Sequence, residues 1–382
     1  MLAPCNPTEL ADAMRDAASL GRTISIAGSS TKRRMAGPIE EADVAITTMS
    51  LRGVLQYEPR DLTVSVLAGL GWSEFTALLA RNRQMVPLDP AFDSGATVGG
   101  VIASNASGPR RRLYGTARDL VIGMTFITLE GKPVKTGGMV VKNVAGLDMA
   151  KLMIGSFGTL AAIAVVNFKV QPMPEVERSF LVPFDSLSTA IAARNTILRG
   201  QLQPAAIDLF NPAASRTMGH STWMLGLRVG GNEAAVRRYE QELAQFSDAQ
   251  AFDGNDHETL WRHVENFTPQ HLAAHEDGAV VRVSCTLKDS EAVMRRFPGA
   301  AVARAGSGVC YGYFETGRAA VQWLAGETVP GCKGVIEFAS DGARQTLDLW
   351  PAPGRDLEMM RRVKNLFDPR NLLNRGRLYR VI

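Results

Sequence analysis

The stretch TVGGVIASNASGPRRRLYG, residues 97–115, combines glycine, alanine and serine with three consecutive arginines. Residues without a bulky side chain let the main chain come close to another group. Phosphate oxygens need several converging N–H donors with no Cβ atoms in the way, and such a stretch can supply them. It therefore predicts a backbone surface for a phosphate-containing ligand, next to a cluster of positive charge.

Two other segments have the same character and also adjoin predicted strands. They are IAGSSTKRRMAG (26–37) and GSFGTLAAI (155–163). A tight turn would explain any one of these segments alone, but three of them in one domain favour a common ligand. Side-chain hydroxyls would add further donors, from Ser29, Ser30, Thr31, Thr97, Ser104, Ser107 and Thr159.

The common nucleotide motifs do not match. The sequence has no GxxxxGK[ST] loop. Its nearest approach to GxGxxG is AGSGVCYG (305–312), in which the third glycine is one place late and no helical pattern follows. This segment predicts a loop between strands.

Composition limits the function classes. A length of 382 residues predicts two domains, and 46% hydrophobic with 21% charged residues is typical of a globular protein. A net charge of +4 and short basic clusters without interleaved aromatic residues give no support for nucleic-acid binding. Four scattered cysteines without a CxxC pair argue against an iron–sulfur cluster or a zinc site held by this chain alone. They predict a reduced, cytoplasmic compartment, and the first residues show no secretory signal.

The pattern of predicted strands and helices indicates an α+β fold. Strands and helices alternate at first, and residues 119–138 predict a β-hairpin turned at EGK. The 17 uncharged residues 152–168 predict a turn followed by a buried strand rather than a membrane span. After the prolines of 171–175, two strand–helix passes predict a ferredoxin-like sheet. The expected domains are 1–175, 176–355 and a closing helix and loop, 356–382.

The order of these segments resembles a known family. VPLDPAFDSGATVGGVIASNASGPRRRLYGTARDLVIG (86–123) and GGMVVKNVAGLDMAKLMIGSFGTLAAI (137–163) resemble flavoproteins of the vanillyl-alcohol oxidase / p-cresol methylhydroxylase (PCMH) type. The closing LFDPRNLLNRGRL (366–378) is similar to the family's final segment. The resemblance implies a PCMH-type FAD-binding domain of two α/β subdomains plus a smaller ferredoxin-like α+β cap domain.

The resemblance also implies where non-covalent FAD would bind. Its pyrophosphate would meet the loop Ala27, Gly28, Ser29, Ser30, Thr31 and the segment Thr97, Val98, Gly99, Gly100, with Pro90 nearby. Asn105, Ala106, Ser107 and Gly108 would lie along the cofactor, and Gly155, Ser156, Gly158, Thr159 and Leu160 would approach its adenosine end. Arg110–Arg112 would offset phosphate charge or form a solvated rim.

Some features of the family are missing. Histidyl attachment of FAD is excluded because no histidine precedes His220. The histidine and carboxylate cluster of catalytic relatives is not apparent; His271 and His275 have i, i+4 spacing, but a solvated helix face is favoured over a metal site. Phe157 stands where the family has glutamate. No catalytic residue can be assigned, although Lys142, Asn143 and Arg377 are polar groups that could face the flavin.

Within the family, the sequence looks like a subunit of glycolate oxidase complexes. This resemblance implies an FAD-binding subunit, with a sister flavin subunit carrying most of the oxidation of glycolate to glyoxylate and an iron–sulfur subunit accepting the electrons. Such a protein would be cytoplasmic, with peripheral association at the inner membrane left open. Two alternatives remain: a self-sufficient FAD-dependent 2-hydroxy-acid dehydrogenase, and a non-catalytic assembly scaffold.

Overall fold

The computed structural model describes residues 1–140, 147–246, 248–326 and 329–382. The chain divides into two compact units. The first comprises residues 1–107, 115–173 and 352–382, and the second comprises residues 108–114 and 174–351. Both termini of the chain therefore belong to the first unit. Helices and strands are numbered below along the whole chain.

The first unit contains nine strands and six helices in the described residues. The strands are β1 (Ile24–Ala27), β2 (Val44–Thr47), β3 (Val54–Glu58), β4 (Thr63–Leu67), β5 (Gln84–Met85), β6 (Val121–Ile127), β7 (Pro133–Gly137), β8 (Ala162–Lys169) and β9 (Gln171–Pro172). The helices are α1 (Pro7–Ser19), α2 (Trp72–Ala80), α3 (Val98–Ala103), α5 (Ala117–Leu120), α6 (Ala150–Met153) and α15 (Arg355–Phe367).

The larger sheet of the first unit is antiparallel, with the order β3-β4-β8-β6-β7 within the described residues. The predicted hairpin is confirmed as β6 and β7, paired from Gly123–Gly137 to Ile127–Pro133. The predicted buried strand in the uncharged stretch is confirmed as β8, the middle strand of this sheet. Residues of β8 pack into two different apolar clusters, so both faces of the strand are covered, which explains its continuous run of Ala, Ile and Val.

A smaller layer is built from the parallel pair β1 and β2 and helix α1. Helix α1 begins at Pro7: Asn6 caps it by accepting a hydrogen bond from the Glu9 N–H, and Pro7 occupies the first turn. The C-terminal segment joins this layer, because the Ile24 N–H donates to the Leu372 carbonyl. Residues far apart in sequence therefore share one apolar core.

The second unit contains β10 to β17 and the remaining helices. The strands are β10 (Val176–Phe184), β11 (Ala206–Phe210), β12 (Trp223–Gly231), β13 (Gln250–Phe252), β14 (Ala279–Ser284), β15 (Ala301–Arg304), β16 (Val309–Phe314) and β17 (Lys333–Phe338). The helices are α4 (Arg111–Tyr114), α7 (Leu187–Arg199), α8 (Pro212–Ser215), α9 (Glu233–Leu243), α10 (Gly254–Glu265), α11 (Phe267–Ala274), α12 (Ser290–Arg296), α13 (Gly317–Gly326) and α14 (Asp341–Thr346).

These strands form one antiparallel sheet with the order β13-β10-β12-β11-β15-β16-β14-β17 in the described residues. The first four strands, with α7 and α9 as connections, form a ferredoxin-like β-α-β-β-α-β unit. Strands β14 to β17, with α12 and α13, repeat this arrangement, and β11 pairs with β15 to join the halves. The predicted ferredoxin-like sheet is thus present twice. The segment 305–312 is confirmed as a loop entering β16, not a nucleotide motif.

Helix α10 covers β10 through a buried polar cluster. The Trp261 indole N–H donates to the Ser179 hydroxyl (2.7 Å), which lies 2.7 Å from Nδ1 of His257. Burial, reinforced by the positive charge of Arg228, lowers the pKa of His257 to about 4, against the opposing attraction of Glu177. His257 is therefore neutral in the folded protein at pH 7.

This cluster predicts a loss of stability in acid. An unfolded histidine titrates near 6.5, so between pH 6.5 and 4 the unfolded chain binds more protons than the folded one. The free energy of unfolding should fall by about 3 kcal/mol through that window because of His257. Urea titrations followed by tryptophan fluorescence at several pH values should show a shallower decline for His257→Gln. An unchanged decline in the variant would contradict this assignment.

Candidate functional site

An open cleft of about 1050 Å³ lies within the first unit. This volume includes the open mouth of the cleft. Its walls come from the end of β1 and the loop after it, the start of α3, the turn before β8 and the C-terminal segment. Three of these four elements are the small-residue segments singled out in the sequence.

The loop after β1 presents free backbone donors to this cleft. The N–H groups of Ser29, Ser30, Thr31 and Lys32 have no acceptor among the described residues. Ser30 has a φ of 59°, so the loop reverses direction there. Successive N–H groups around a left-handed residue form a concave surface that binds anions.

A cation lies beside these donors. The Nζ atom of Lys32 is buried at the cleft wall without a hydrogen-bond partner in the described part of the chain. Burial lowers the pKa of Lys32 to about 8, although the nearby Asp93 carboxylate acts in the opposite direction. A buried ammonium without a partner is costly, and a bound anion would remove that cost. The loop therefore has the chemistry of a phosphate site.

Helix α3 forms the facing wall. Thr97 caps it by accepting a hydrogen bond from the Gly100 N–H (3.2 Å). A Cβ atom on Gly28 would lie 2.2 Å from Oγ1 of Thr97, and one on Gly99 would lie 2.8 Å from Cβ of Ala68. These two glycines therefore allow protein segments to approach one another. Both glycines line the cleft and remain predicted cofactor residues, and their lack of a Cβ atom also lets the walls of the cleft come together.

The turn before β8 forms the third wall and is held by the C-terminal segment. The Asn374 amide nitrogen donates to the Phe157 carbonyl (2.7 Å) and the Ile26 carbonyl (3.0 Å), and its oxygen accepts from the Ile26 N–H (2.7 Å). A Cβ atom on Gly158 would lie 2.6 Å from this amide nitrogen. Asn374 therefore fixes the turn against β1.

A buried ion pair supports the same junction. The Lys364 ammonium donates to the carboxylate of Asp368 (2.6 Å) and to the carbonyls of Thr159 (2.7 Å) and Leu373 (3.1 Å). Asp368 also accepts hydrogen bonds from the N–H groups of Leu372 and Leu373. Burial lowers the pKa of Lys364, against the stabilising contact with Asp368. One ion pair thus anchors the end of α15 to the cleft.

About half of the predicted cofactor residues line this cleft. Those on its walls are Ala27, Gly28, Ser29, Ser30, Thr31, Thr97, Gly99, Gly100 and Gly158. Those elsewhere are Pro90, Val98, Asn105, Ala106, Ser107, Gly108, Gly155, Ser156, Thr159 and Leu160. Val98, Thr159 and Leu160 are buried, and the Thr159 hydroxyl donates to the Ser156 carbonyl, so it is not a free donor. The Ser104 hydroxyl likewise donates to the Gly100 carbonyl.

The expectation for Arg112 is corrected. Gly108 and the three arginines belong to the second unit. Arg112 donates to the Pro204 carbonyl (2.8 Å) and the Gln203 side chain (2.6 Å). This guanidinium is neither a phosphate contact nor a solvated rim, because its hydrogen bonds hold the segment 108–114 to the loop before β11.

The other candidate site residues either have structural roles or lie outside the described residues. Arg377 lines the cleft, but it donates to the carbonyls of Gly37 and Met35. His271 is not on a solvated face, since its Nε2 bonds to the Phe314 carbonyl, and His275 bonds to the His271 carbonyl. In the described residues no group of histidine, cysteine and carboxylate side chains is arranged to hold a metal. Lys142 and Asn143 lie outside the described residues.

Sequence reasoning missed Lys32 and Asn374. The lysine was available in TKRRM (31–35), a cluster weighed only as a nucleic-acid contact. The asparagine lies in the closing segment, and no pattern in the neighbouring sequence predicts where that segment packs. It acts on residues 26 and 157, more than 200 positions away.

The fold and the anion-binding cleft define the class: a dinucleotide-binding flavoprotein domain followed by a duplicated ferredoxin-like domain. Residues 1–137 match the FAD binding domain, and residues 173–331 and 352–378 match the C-terminal domain of FAD linked oxidases. The solved structure of p-cresol methylhydroxylase with substrate bound aligns with 98% of this chain and 87% of its own, with a TM-score of 0.73 and 12% identity. That likeness shows a shared fold.

Relatives in sequence are more specific. Glycolate oxidase subunit GlcE of Escherichia coli is 32% identical over 270 residues, which is 69% of this chain and 74% of GlcE. D-lactate dehydrogenase of Anaerostipes hadrus is 30% identical over 245 residues, or 64% of this chain and half of that enzyme. The chain therefore belongs to the FAD-linked oxidases, the family that includes GlcE. It is an FAD-dependent oxidoreductase of PCMH-type fold.

The cleft fits FAD. The free N–H groups of residues 29–32 and the unpartnered Lys32 ammonium match a pyrophosphate, and the apolar side chains of Ile24, Ile26 and Ile163 line the same cleft. Among the described residues, no helix is both long enough and apolar enough to cross a bilayer.

Lys32 gives a testable prediction. Replacement with methionine should weaken FAD binding about 10- to 100-fold, because a hydrogen bond to a charged group contributes about 1.5–3 kcal/mol. In the wild type, FAD affinity should fall as the pH rises above about 8, where Lys32 loses its proton. Titration by flavin fluorescence measures both effects.

The matched control is Lys132→Met at an exposed hairpin turn, which should leave the affinity unchanged. Lys32→Met should also lose the pH dependence. If the decline above pH 8 persisted in that variant, another group would be responsible.

Proposed function

We propose that this chain is the FAD-binding subunit of a glycolate oxidase complex that converts glycolate to glyoxylate and passes the electrons to an iron–sulfur partner. The proposal rests on one contrast. The chain has a cleft that fits FAD, whereas four of its five histidines and Arg377, groups suited to deprotonate a hydroxy acid and to hold its carboxylate, already hydrogen bond within the protein.

The histidines illustrate this contrast. His257, His263, His271 and His275 each hydrogen bond within the second unit: to Ser179, Thr217, the Phe314 carbonyl and the His271 carbonyl, respectively. A general base must reach the substrate's hydroxyl proton, and a buried histidine with a lowered pKa, such as His257, is already committed to a neighbour. The carbonyl contacts of Arg377 leave it unsuited to clamp a carboxylate.

Bound FAD would accept two electrons from the hydroxy acid. The residues of this chain bind and orient it: the loop 28–32 receives the pyrophosphate, and Asn374 fixes the adjoining turn. A sister flavin subunit would carry most of the glycolate oxidation. In the proposed complex an iron–sulfur subunit accepts the electrons, and this chain contributes no cluster-binding cysteine motif of its own. We place the complex in the cytoplasm, with peripheral attachment to the inner membrane as the arrangement to examine by fractionation.

The experiment compares the chain alone with the chain in its complex. Purified alone and loaded with FAD, it should be yellow but should show negligible glycolate-dependent dye reduction. Purified with its native partners, the same chain should support turnover, and Lys32→Met should reduce its flavin content. Robust turnover by the isolated chain would overturn the division of labour.

The similarity to D-lactate dehydrogenase favours one second candidate, a self-sufficient FAD-dependent 2-hydroxy-acid dehydrogenase. Anaerobic bleaching of the isolated flavoprotein by lactate, glycolate or 2-hydroxyglutarate would identify it. A preparation that assembles with partners but never retains FAD would instead indicate a scaffold.

A further inference from the structure

Two thiols of the second unit lie in contact near the end of a strand pair. Cys285 follows β14 directly, and its N–H donates to the Gly308 carbonyl (2.9 Å) at the start of β16. Cys310 lies within β16, opposite Val283. The two sulfur atoms are 3.9 Å apart. None of the binding residues described above is part of this cluster.

The two thiols differ in accessibility. Cys285 is half-buried, whereas Cys310 is fully buried. A redox-sensing pair has this asymmetry: the accessible thiol reacts with the oxidant, and the buried thiol then forms a disulfide with it.

The surroundings also differ in charge. The hydrogen bond from Cys310 lowers the pKa of the Cys285 thiol, and the positive charge of Arg194 acts in the same direction, against burial and the Asp289 carboxylate. The same contact, followed by burial, raises the pKa of the Cys310 thiol. Arg194 is fixed close by, because it donates to the carbonyls of Ala305 and Leu287. The accessible thiol is therefore the more readily ionised one.

The geometry allows a bond with local movement. Disulfide formation requires the sulfurs to close from 3.9 Å to about 2.05 Å. Cys285 lies beyond the last residue of β14, so its side chain can rotate without breaking that strand.

We propose that Cys285 is a peroxide-reactive site and that Cys310 is its resolving thiol. The Cys285 thiolate attacks hydrogen peroxide, the O–O bond breaks, and with one proton the products are a sulfenic acid and water. The Cys310 thiol then attacks that sulfur, forming the disulfide and releasing a second water. The two thiols together lose two electrons, and one hydrogen peroxide gains them and is reduced to two waters. A thiol reductant reverses the reaction.

The test uses the full-length, FAD-loaded protein without substrate, so that added hydrogen peroxide is the oxidant. After limited peroxide and alkylation, peptide mass spectrometry should find a Cys285–Cys310 disulfide that dithiothreitol removes. Cys285 should be consumed at least about ten times faster than Cys5, the exposed thiol of the first unit.

Variants separate the two steps. In Cys310→Ser, the sulfenic acid on Cys285 should persist and be captured by dimedone, whereas Cys332→Ser should leave the Cys285–Cys310 bond unaffected. Equal rates at Cys285 and Cys5, or a Cys285–Cys332 bond in the wild type, would overturn the proposal. The wild-type measurement decides it even where a variant folds poorly.

Discussion

Replacing Lys364 with methionine should lower the free energy of unfolding of the first unit by about 3–5 kcal/mol. The lysine and Asp368 are both buried, and the ammonium also holds the carbonyls of Thr159 and Leu373. Removing the cation leaves a carboxylate without its charge partner in a low-dielectric interior, and breaking a buried pair on one side costs far more than the pair contributes. The C-terminal segment should loosen first, since both ends of this contact involve it.

The change can be measured by urea denaturation of the FAD-free chain, with the transition of the first unit followed separately. Arg362→Met is a matched control: Arg362 and Glu358 form an i, i+4 pair on the same helix, but both are exposed. That control should lose less than about 1 kcal/mol. The double variant Lys364→Met/Asp368→Leu should recover part of the loss, because it removes the stranded charge. Equal effects at Lys364 and Arg362 would show that the buried pair does not support the fold.

Sequence patterns predicted the parts of the fold that depend on neighbouring residues. The hairpin of β6 and β7 follows from strand patterns on either side of the turn EGK, and β8 follows from its β-branched composition. The loops after β1 and before β8 were found because backbone that bends closely needs small residues. These features are local, so a single sequence carries them.

The contacts that complete the cleft are not local. Lys364 bonds to residue 159 and Asn374 to residue 157, and neither spacing leaves a periodic trace. The prediction for Arg112 was wrong for a related reason. A positive charge beside a glycine-rich segment favours a phosphate contact. The Arg112 guanidinium instead donates hydrogen bonds to carbonyl and amide oxygens some 90 residues away. A chain that crosses briefly into a second unit gives no signal of doing so.

The same limit applies to the glycines. In the sequence, Gly28, Gly99 and Gly100 look alike, yet a Cβ atom would meet Thr97 at the first, Ala68 at the second and only a hydroxyl at 3.1 Å at the third. Which glycine admits a ligand and which admits a neighbouring segment depends on tertiary packing. A substitution at Gly28 therefore disturbs the cleft through the contact with Thr97.

Gly28→Ala is expected to weaken FAD binding by about 100-fold, equivalent to about 2.8 kcal/mol. The added Cβ would lie 2.2 Å from Oγ1 of Thr97, and that hydroxyl is fixed because it caps α3. The loop 28–32 must therefore move away from α3, and its free N–H groups then no longer converge on one position. Preorganised donors lose their advantage when the binding loop has to rearrange.

Flavin fluorescence titration of the purified chain measures the effect, and circular dichroism verifies that the fold is retained. Gly342→Ala adds the same atom where nothing lies within 4 Å, so its affinity should match the wild type. The double variant Gly28→Ala/Thr97→Ala should bind FAD more tightly than Gly28→Ala, because it removes the atom that the new Cβ meets, although the lost cap costs about 1 kcal/mol. If Gly28→Ala kept both its fold and its affinity for FAD, the loop after β1 would not be the pyrophosphate site. A shift in the N–H donors that hold the pyrophosphate must weaken binding.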